Sequence, residues 1–262
     1  YMNGAGNDFM VMDARDGNYD FEKLALELCK LTNADGFMAI DHSDKADFKL
    51  HFYNSDGSRG EMCGNGARCI CRFAYDNGIA GEAMVVETDA GLVPGWRIDE
   101  NQYAVHLNLP SVVDPERLDD VAYVELGNPG IPHAVVPYAG LKDADTNELR
   151  ELGRKIRWHK DFPKGANVNF YEIVGEDEIF ERTYERYVED FTYACGTGTG
   201  SMVSVLTKKG LVSGKNVKVH MTGGQLIIDV DFDGEKVSNI YLTGPTNIVC
   251  KGEVTDEDLV LN

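Results

Sequence analysis

The chain has no long apolar run, since none of its segments approaches the roughly 18 apolar residues of a transmembrane helix. Its first residues lack the basic and apolar regions of a signal peptide, so we expect none. Basic residues are few: 25 Lys and Arg against 44 Asp and Glu give a formal net charge of −19. We therefore expect neither nucleic acid nor a membrane as a partner.

The six cysteines include no Cys-x-x-Cys pair, which argues against a common zinc or redox motif. Cys69 and Cys71 would lie on different faces of a helix, so we expect no metal site there. Dispersed cysteines without a secretory signal are typical of reduced thiols in the cytoplasm. We expect Cys29, Cys69, Cys71 and Cys250 to be buried, small apolar side chains.

A Cys-Gly-x-Gly motif occurs twice, at residues 63–66 and 195–198. Each copy leads into a run that ends at a glycine 15 residues after the cysteine. The pattern places Cys63 and Cys195 immediately before two helices of similar length. The N–H groups and partial positive charge at a helix N-terminus stabilise a thiolate, lowering the pKa of cysteine from about 8.5 towards neutrality. They also favour an anionic group such as a carboxylate.

The spacing of these and other residues indicates an internal duplication. Ala34 and Ala166, Cys63 and Cys195, and Gly91 and Gly223 each lie 132 residues apart. Such a long repeat favours two similar α+β domains over a solenoid. Apolar periodicity predicts helices at 21–31, with Asp20 as N-cap, and at 147–157. Strands are predicted at 9–13, 37–40, 47–53, 84–88, 92–98, 103–109, 121–126, 133–136, 168–174, 180–187, 217–221, 225–230 and 248–254, with a linker bracketed by Pro110 and Pro115.

Five segments together resemble the diaminopimelate epimerases, cofactor-free enzymes that interconvert LL- and meso-diaminopimelate. The resemblance covers nearly the whole chain, and the pair of cysteine motifs makes it highly specific. The segments are residues 3–9 (Asn-Gly-Ala-Gly-Asn-Asp-Phe), 54–69, 185–186 (Glu-Arg), 194–198 (Ala-Cys-Gly-Thr-Gly) and 244–245 (Gly-Pro).

The resemblance implies an α+β fold of two pseudo-symmetric domains, each a barrel-like, mostly antiparallel sheet around a central helix. The domains are expected at 1–112 plus 249–262 and at 113–248, with the active site in the cleft between them. The family also implies a homodimer that works without pyridoxal phosphate or another cofactor.

The resemblance also assigns roles to residues. Cys63 and Cys195 are the expected acid–base pair, and His133 and Glu185 match residues thought to tune their pKa values. The expected substrate-binding residues are Asn7, Asn54, Gly64, Asn65, Asn167, Glu185, Arg186, Gly196 and Thr197.

The chemistry suits two thiols at helix N-termini. Removing the weakly acidic α-hydrogen of an amino acid needs a positioned base and a stabilised carbanion. Without an imine cofactor, fixed dipoles around the substrate carboxylate must supply that stabilisation. One cysteine would abstract the proton as a thiolate while the other, as a thiol, donates one to the opposite face. The pair would therefore titrate as a coupled unit.

Three departures from the family pattern leave the substrate open. Ile131 stands where the family often has a substrate-binding Asn, for which Asn128 is the alternative. Gly36 stands where some members have a Gln, and Tyr187 follows Glu-Arg where Gly is usual. Three hypotheses result: a diaminopimelate epimerase, a related cofactor-free racemase with another substrate, or a thiol redox or metal-binding protein.

Overall fold

The computed structural model describes residues 1–60 and 62–255, and it forms two compact units. Unit 1 contains Tyr1–Val105 and the segment that begins at Thr243, and unit 2 contains His106–Leu242. The end of the first expected domain, residues 256–262, lies outside the described residues. Among the described residues, no helix combines the length and apolar character needed to cross a bilayer.

The helices and strands follow in chain order. The α-helices are α1 Phe21–Thr32, α2 Gly64–Asp76, α3 Thr146–Arg157 and α4 Gly196–Lys208. The strands are β1 Met2–Gly4, β2 Asn7–Asp13, β3 Gly36–Asp41, β4 Phe48–Asn54, β5 Ala83–Thr88, β6 Gly91–Arg97, β7 Gln102–His106, β8 Pro110–Leu118, β9 Val121–Gly127, β10 Gly130–Pro137, β11 Asn167–Gly175, β12 Glu178–Glu185, β13 Asp190–Thr192, β14 Val217–Met221, β15 Gly224–Phe232, β16 Val237–Pro245 and β17 Asn247–Ile248.

The two units repeat one topology. In unit 1, β2 and β3 are parallel neighbours linked through α1, and β4 and β5 are parallel neighbours linked through α2. In unit 2, β10 and β11 pair in parallel across α3, and β12 and β14 pair in parallel across α4. Antiparallel pairs make up most of the strand pairing within each unit. Each unit is therefore a mixed, mostly antiparallel α+β structure, as expected.

One helix of each unit is buried against several strands of that unit. Helix α2 contacts β1, β2, β3 and β6, and α4 contacts β8, β9, β10, β11 and β15. Both helices bury small or apolar side chains on nearly every face, including Ile70 and Ala74 of α2 and Val203 and Leu206 of α4. A helix that is buried on most of its faces lies inside a core. Burial of each large aliphatic side chain contributes roughly 1.5–3 kcal/mol, so these helices are fixed firmly.

The other two helices cover the sheets from outside. Asp20 caps α1 by accepting the Lys23 N–H at 3.1 Å, as the sequence predicts, and Asp145 caps α3 in the same way. Leu24 and Leu28 of α1 pack against Phe37 of β3 in one apolar cluster. Each outer helix therefore holds a parallel strand pair in register.

The predicted linker between Pro110 and Pro115 is wrong, because this segment is strand β8, paired with β9. Proline lacks an N–H donor, and Pro115 lies where the register shifts between Asp114 and Leu118. The segment thus forms a strand although Pro115 donates no backbone hydrogen bond to β9. The predicted strand at 180–187 also ends early, at Glu185, and Tyr187 has a positive φ of 73°.

Candidate active site

Cys63 is the N-cap residue of α2, with the extended φ of −128° typical of that position. Its sulfur accepts the Gly66 N–H at 3.5 Å. A Cβ on Gly66 would lie 3.0 Å from the Met38 sulfur and 3.5 Å from the Phe9 ring, so the first turn of α2 packs tightly on β2 and β3. The sheet therefore fixes where the Cys63 thiol lies.

Two expected substrate-binding residues are joined beside Cys63. Asn65 Nδ2 donates to Asn7 Oδ1 at 2.7 Å, and Asn7 Nδ2 donates to Asp35 Oδ2 at 3.3 Å. Asn7 begins β2 and is half-buried, whereas Asn65 is buried in the first turn of α2. The two amides therefore hold each other in place.

Asn54 ends β4 opposite Gly36, the residue that begins β3. Its backbone N–H donates to the Ser58 carbonyl at 2.8 Å, and its side-chain Nδ2 donates to Ser58 Oγ at 2.9 Å. Gly36 in turn lies opposite Phe9 on β2. Asn54 is thus exposed at the sheet end from which β2 and β3 start.

Arg68 introduces a buried positive charge beside Cys63, a role that the sequence pattern does not predict. Its side chain is fully buried, and its guanidinium donates to the Gly64 carbonyl at 3.2 Å and to Asn65 Oδ1 at 2.9 Å. Burial lowers the pKa of Arg68 to about 10, opposed by attraction to Cys69 and Cys63. At neutral pH this group is therefore a cation that favours a thiolate on Cys63.

Cys195 is the N-cap residue of α4 and has nearly the same backbone conformation, with a φ of −126°. Its sulfur lies 3.6 Å from Thr197 Oγ1. A Cβ on Gly198 would overlap the Oδ1 atom of Asn169, so only glycine allows this approach of α4 to β11. The second Cys-Gly-x-Gly motif therefore builds the same arrangement as the first.

Acidic groups, rather than a cation, surround Cys195. Burial raises the pKa of the Cys195 thiol well above its usual range, and Glu185 raises it further, against hydrogen bonds from Thr197 and the Gly198 N–H. Burial also raises the pKa of Glu185, while hydrogen bonds from Thr192 and Cys195 oppose this shift. Thr192 Oγ1 donates to Glu185 Oε1 at 2.7 Å. This environment favours Cys195 as a protonated thiol.

His133 lies on β10 opposite Asn167 of the parallel strand β11 and is fully buried. Asn169 Nδ2 lies 3.2 Å from His133 Nδ1 and also donates to the Ala134 carbonyl. Burial, reinforced by the charge of Arg186, lowers the pKa of His133 to about 3. His133 is therefore neutral, with Nδ1 accepting from the amide and the proton on Nε2.

Asn167 and Arg186 are joined at the start of β11. Asn167 Oδ1 accepts the Arg186 N–H at 2.8 Å, directly after β12 ends at Glu185. The guanidinium of Arg186 donates to the Lys164 carbonyl at 3.2 Å and lies 4.8 Å from the centroid of the Tyr187 ring. Unit 2 thus brings together His133 and all the unit 2 residues expected to bind substrate.

A second group of buried polar residues, not predicted from the sequence, lies around Cys195: Asn169, Glu181, Thr183 and Thr199. One signal was available for Glu181 and Thr183. Together with Ile179 they occupy every second position of β12 and so lie on its inward face. Strand periodicity therefore places a carboxyl inside the core.

The remaining cysteines mostly match the expectation of inert core residues. All six are free, and Cys29, Cys69 and Cys71 are buried, which raises their pKa values to about 11, 12 and 12. The expectation is wrong for Cys250, which is exposed, because it follows the end of β17 rather than lying inside a strand. Within residues 1–60 and 62–255, no three His, Cys, Asp or Glu side chains are grouped as metal ligands would be.

Two units of one α+β plan, each with a cysteine at the N-cap of its central helix, define the class of fold. The family model for diaminopimelate epimerase matches residues 1–113 and 126–249. The diaminopimelate epimerase of Aquifex aeolicus is 39% identical, over 98% of this chain and 98% of that protein. That of Chlorobaculum tepidum is 35% identical, over 97% of this chain and all of that protein. The chain therefore belongs to the diaminopimelate epimerase family, a family of isomerases.

Solved structures of low identity share the fold. A Bacillus anthracis phenazine biosynthesis protein of the PhzF family has a TM-score of 0.71 at 14% identity, covering 94% of this chain and 95% of that one. A probable proline racemase from Agrobacterium radiobacter has a TM-score of 0.65 at 17% identity, covering 98% and 92%. At these identities the likeness concerns the fold alone.

Proposed function

We propose that the protein interconverts LL- and meso-2,6-diaminopimelate without a cofactor, with Cys63 and Cys195 as the base and acid. The observation that carries the proposal is the matched pair of N-cap cysteines, in a chain of this family. The first N–H groups of an α-helix have no partner within the helix. Those of Gly64 and Asn65 and of Gly196 and Thr197 are therefore suited to the carboxylate of the reacting centre.

The charges support a resting state with one thiolate and one thiol. The Arg68 cation favours Cys63 as the thiolate, whereas burial and the nearby Glu185 favour the protonated form of Cys195. In one direction the Cys63 thiolate takes the α-hydrogen and the Cys195 S–H bond supplies a proton to the opposite face. This step leaves Cys63 as the thiol and Cys195 as the thiolate, which are the states that the reverse reaction uses. The pair of cysteines therefore neither gains nor loses a proton overall.

The other expected residues receive roles in the same proposal. Glu185 is assigned to the substrate ammonium group and Arg186 to a carboxylate in a forked contact, with Asn7, Asn54 and Asn167 as amide contacts. His133, a neutral N–H donor, and Glu185 tune the cysteines. We further propose that the two compact units are the two domains of each subunit. We also propose that the protein is a cytoplasmic homodimer that acts in lysine and peptidoglycan precursor biosynthesis.

The test is deuterium uptake from D₂O at the α-carbon, measured with purified protein in buffer free of metal and pyridoxal phosphate. LL-diaminopimelate is compared with proline, histidine, glutamate and lysine. Exchange and epimerisation of diaminopimelate support the proposal. Exchange confined to another amino acid favours the related racemase, to which Ile131 and Gly36 point, and no exchange favours a thiol protein of another class.

Cysteine variants test the two-base step. Cys63→Ala and Cys195→Ala should each lower the epimerisation rate by roughly 10³-fold or more, because each removes a proton-transfer group. Cys250→Ala is the matched control, since its thiol is exposed and should leave the rate unchanged. Near-normal turnover in either of the first two variants would contradict the two-base mechanism.

A further inference from the structure

Glu181 is a buried carboxyl group that the proposed reaction does not use. It lies in the middle of β12 with 1% of its surface exposed. Among the described residues, no Lys, Arg or His forms an ion pair with it. An unpaired carboxylate in such a place costs several kcal/mol of desolvation, so the neutral acid is the favoured form.

The hydroxyl of Thr199 connects this carboxyl to the backbone of Cys195. Thr199 Oγ1 lies 2.6 Å from Glu181 Oε2 and 2.9 Å from the Cys195 carbonyl oxygen. A hydroxyl has one hydrogen, which it can give to only one of these two oxygens. If Glu181 is protonated, it donates to Thr199, which then donates to the Cys195 carbonyl, and both contacts are hydrogen bonds. If Glu181 is ionised, one of them is lost.

The surrounding polar groups are consistent with a neutral carboxyl. Thr183 Oγ1 lies 3.1 Å from Asn169 Oδ1 and 3.5 Å from Glu181 Oε1, so its hydrogen has a better acceptor in the amide. Burial raises the pKa of Glu181 to about 8, against the hydrogen bonds from Thr199 and Thr183 that lower it, and repulsion from Glu185 adds to the rise. Within the part of the chain that the structure describes, the titratable groups that interact with Glu181 are Glu185 on its own strand and Cys195 at the N-cap of α4.

We propose that Glu181 is a positioning residue: as a neutral acid, it holds Thr199 and the Cys195 carbonyl and so fixes the Cys195 thiol for proton transfer. The proposal rests on the proposed function of Cys195. It also explains how two carboxyl groups can lie near Cys195 while one of them adds no negative charge. Ionisation of Glu181 would break one of the two hydrogen bonds of Thr199 and place a negative charge near the Cys195 thiol.

Four variants separate positioning from simple loss of structure. Glu181→Gln keeps a donor for Thr199, whereas Glu181→Met has similar volume and no donor. Thr199→Val removes the hydroxyl, and Thr207→Val is its matched control, because Thr207 Oγ1 makes the same bond to the Val203 carbonyl four residues earlier, at 2.8 Å. We expect kcat to fall roughly 10- to 100-fold in Glu181→Met and Thr199→Val, with KM within about twofold of wild type. Glu181→Gln and Thr207→Val should stay within about threefold.

Two results would overturn this role. If Glu181→Met and Thr199→Val match Thr207→Val in kcat, the hydrogen bonds from Glu181 through Thr199 do not position Cys195. If Glu181→Gln loses as much activity as Glu181→Met, the neutral donor is not what matters. Circular dichroism and thermal melting of each variant identify any that fails to fold, and Thr199→Val then tests the chain independently of residue 181.

A second measurement needs no substrate. Alkylation of Cys195 by iodoacetamide is followed by mass spectrometry of its peptide between pH 5.5 and 7. A neutral Glu181 predicts equal rates in wild type and Glu181→Gln. An ionised Glu181 predicts a rate several-fold higher in the variant, because an anion near the thiol would have been removed, and this result would refute the proposal. If neither the wild type nor any variant epimerises diaminopimelate, the proposed function fails, but the alkylation measurement still tests the state of Glu181.

Discussion

A neutral, buried Glu181 makes the stability of the protein fall as the pH rises. The carboxyl ionises near pH 4.5 when the chain is unfolded and near pH 8 when it is folded, so the unfolded state loses its proton first. The contribution to stability is complete below pH 4.5 and is lost as the pH rises through 8. Glu181→Gln cannot ionise, so its free energy of unfolding should lack this dependence.

The size of the effect follows from the shift. One pKa unit corresponds to about 1.4 kcal/mol, so a carboxyl with these two pKa values lowers stability by roughly 3 kcal/mol between pH 5 and pH 8. The stability difference between Glu181→Gln and wild type should therefore grow by about that amount over this range. Urea unfolding at several pH values, followed by fluorescence or circular dichroism, measures it.

The control lies on the same strand. Glu178 is half-buried and pairs with Lys218 at 3.5 Å, a contact of little energetic weight. Glu178→Gln should follow the wild-type curve within about 0.5 kcal/mol. Parallel curves for Glu181→Gln and wild type across the range would show that Glu181 is ionised in the folded protein, and the argument for a neutral acid would be refuted.

Three further predictions concern other buried groups of the two half-sites. His133 has its pKa lowered to about 3 on folding, so wild type should lose about 3 kcal/mol more stability than His133→Gln between pH 7 and pH 4, in the same urea assay. Arg68→Met should slow alkylation of Cys63 at pH 7 by roughly tenfold, because a nearby positive charge that favours the thiolate is removed, whereas Arg68→Lys keeps the charge and most of the rate. Gly198→Ala should cost about 2–3 kcal/mol by thermal melting, because its methyl group would overlap a buried amide oxygen. The equivalent Gly66→Ala meets a flexible methionine sulfur at 3.0 Å and should cost less, and equal losses would contradict the packing argument.

The sequence predicts the main elements of the fold because their signals are local. Asp20 marks the start of α1, and the two Cys-Gly-x-Gly motifs mark the starts of α2 and α4. Strand β8 escapes prediction because its prolines are tolerated only through a register shift with β9. Such tolerance depends on a partner strand that is not visible in the segment itself.

The candidate site is predictable to a smaller extent. The family pattern identifies Asn7 and Asn65, and the structure joins their side chains. The family pattern does not identify Glu181, because the role of this residue depends on Thr199, which lies 18 residues away on another element. Nor does local sequence show that Arg68 is buried, because arginine within a helix is ordinarily a solvated residue.

Duplication explains the similarity of the two half-sites but not the difference that the proposed two-base reaction requires. The N-cap cysteines have φ values of −128° and −126°, so the backbone presents both thiols in the same way. Proton transfer across one carbon nevertheless needs one base and one acid at any moment. Arg68 has Gly200 as its equivalent in unit 2, and Thr199 has Ala67 as its equivalent in unit 1, each 132 residues away. The cation near Cys63 and the Glu181–Thr199 chain near Cys195 thus arise where the two copies diverged, and these positions supply the asymmetry that a repeated backbone cannot.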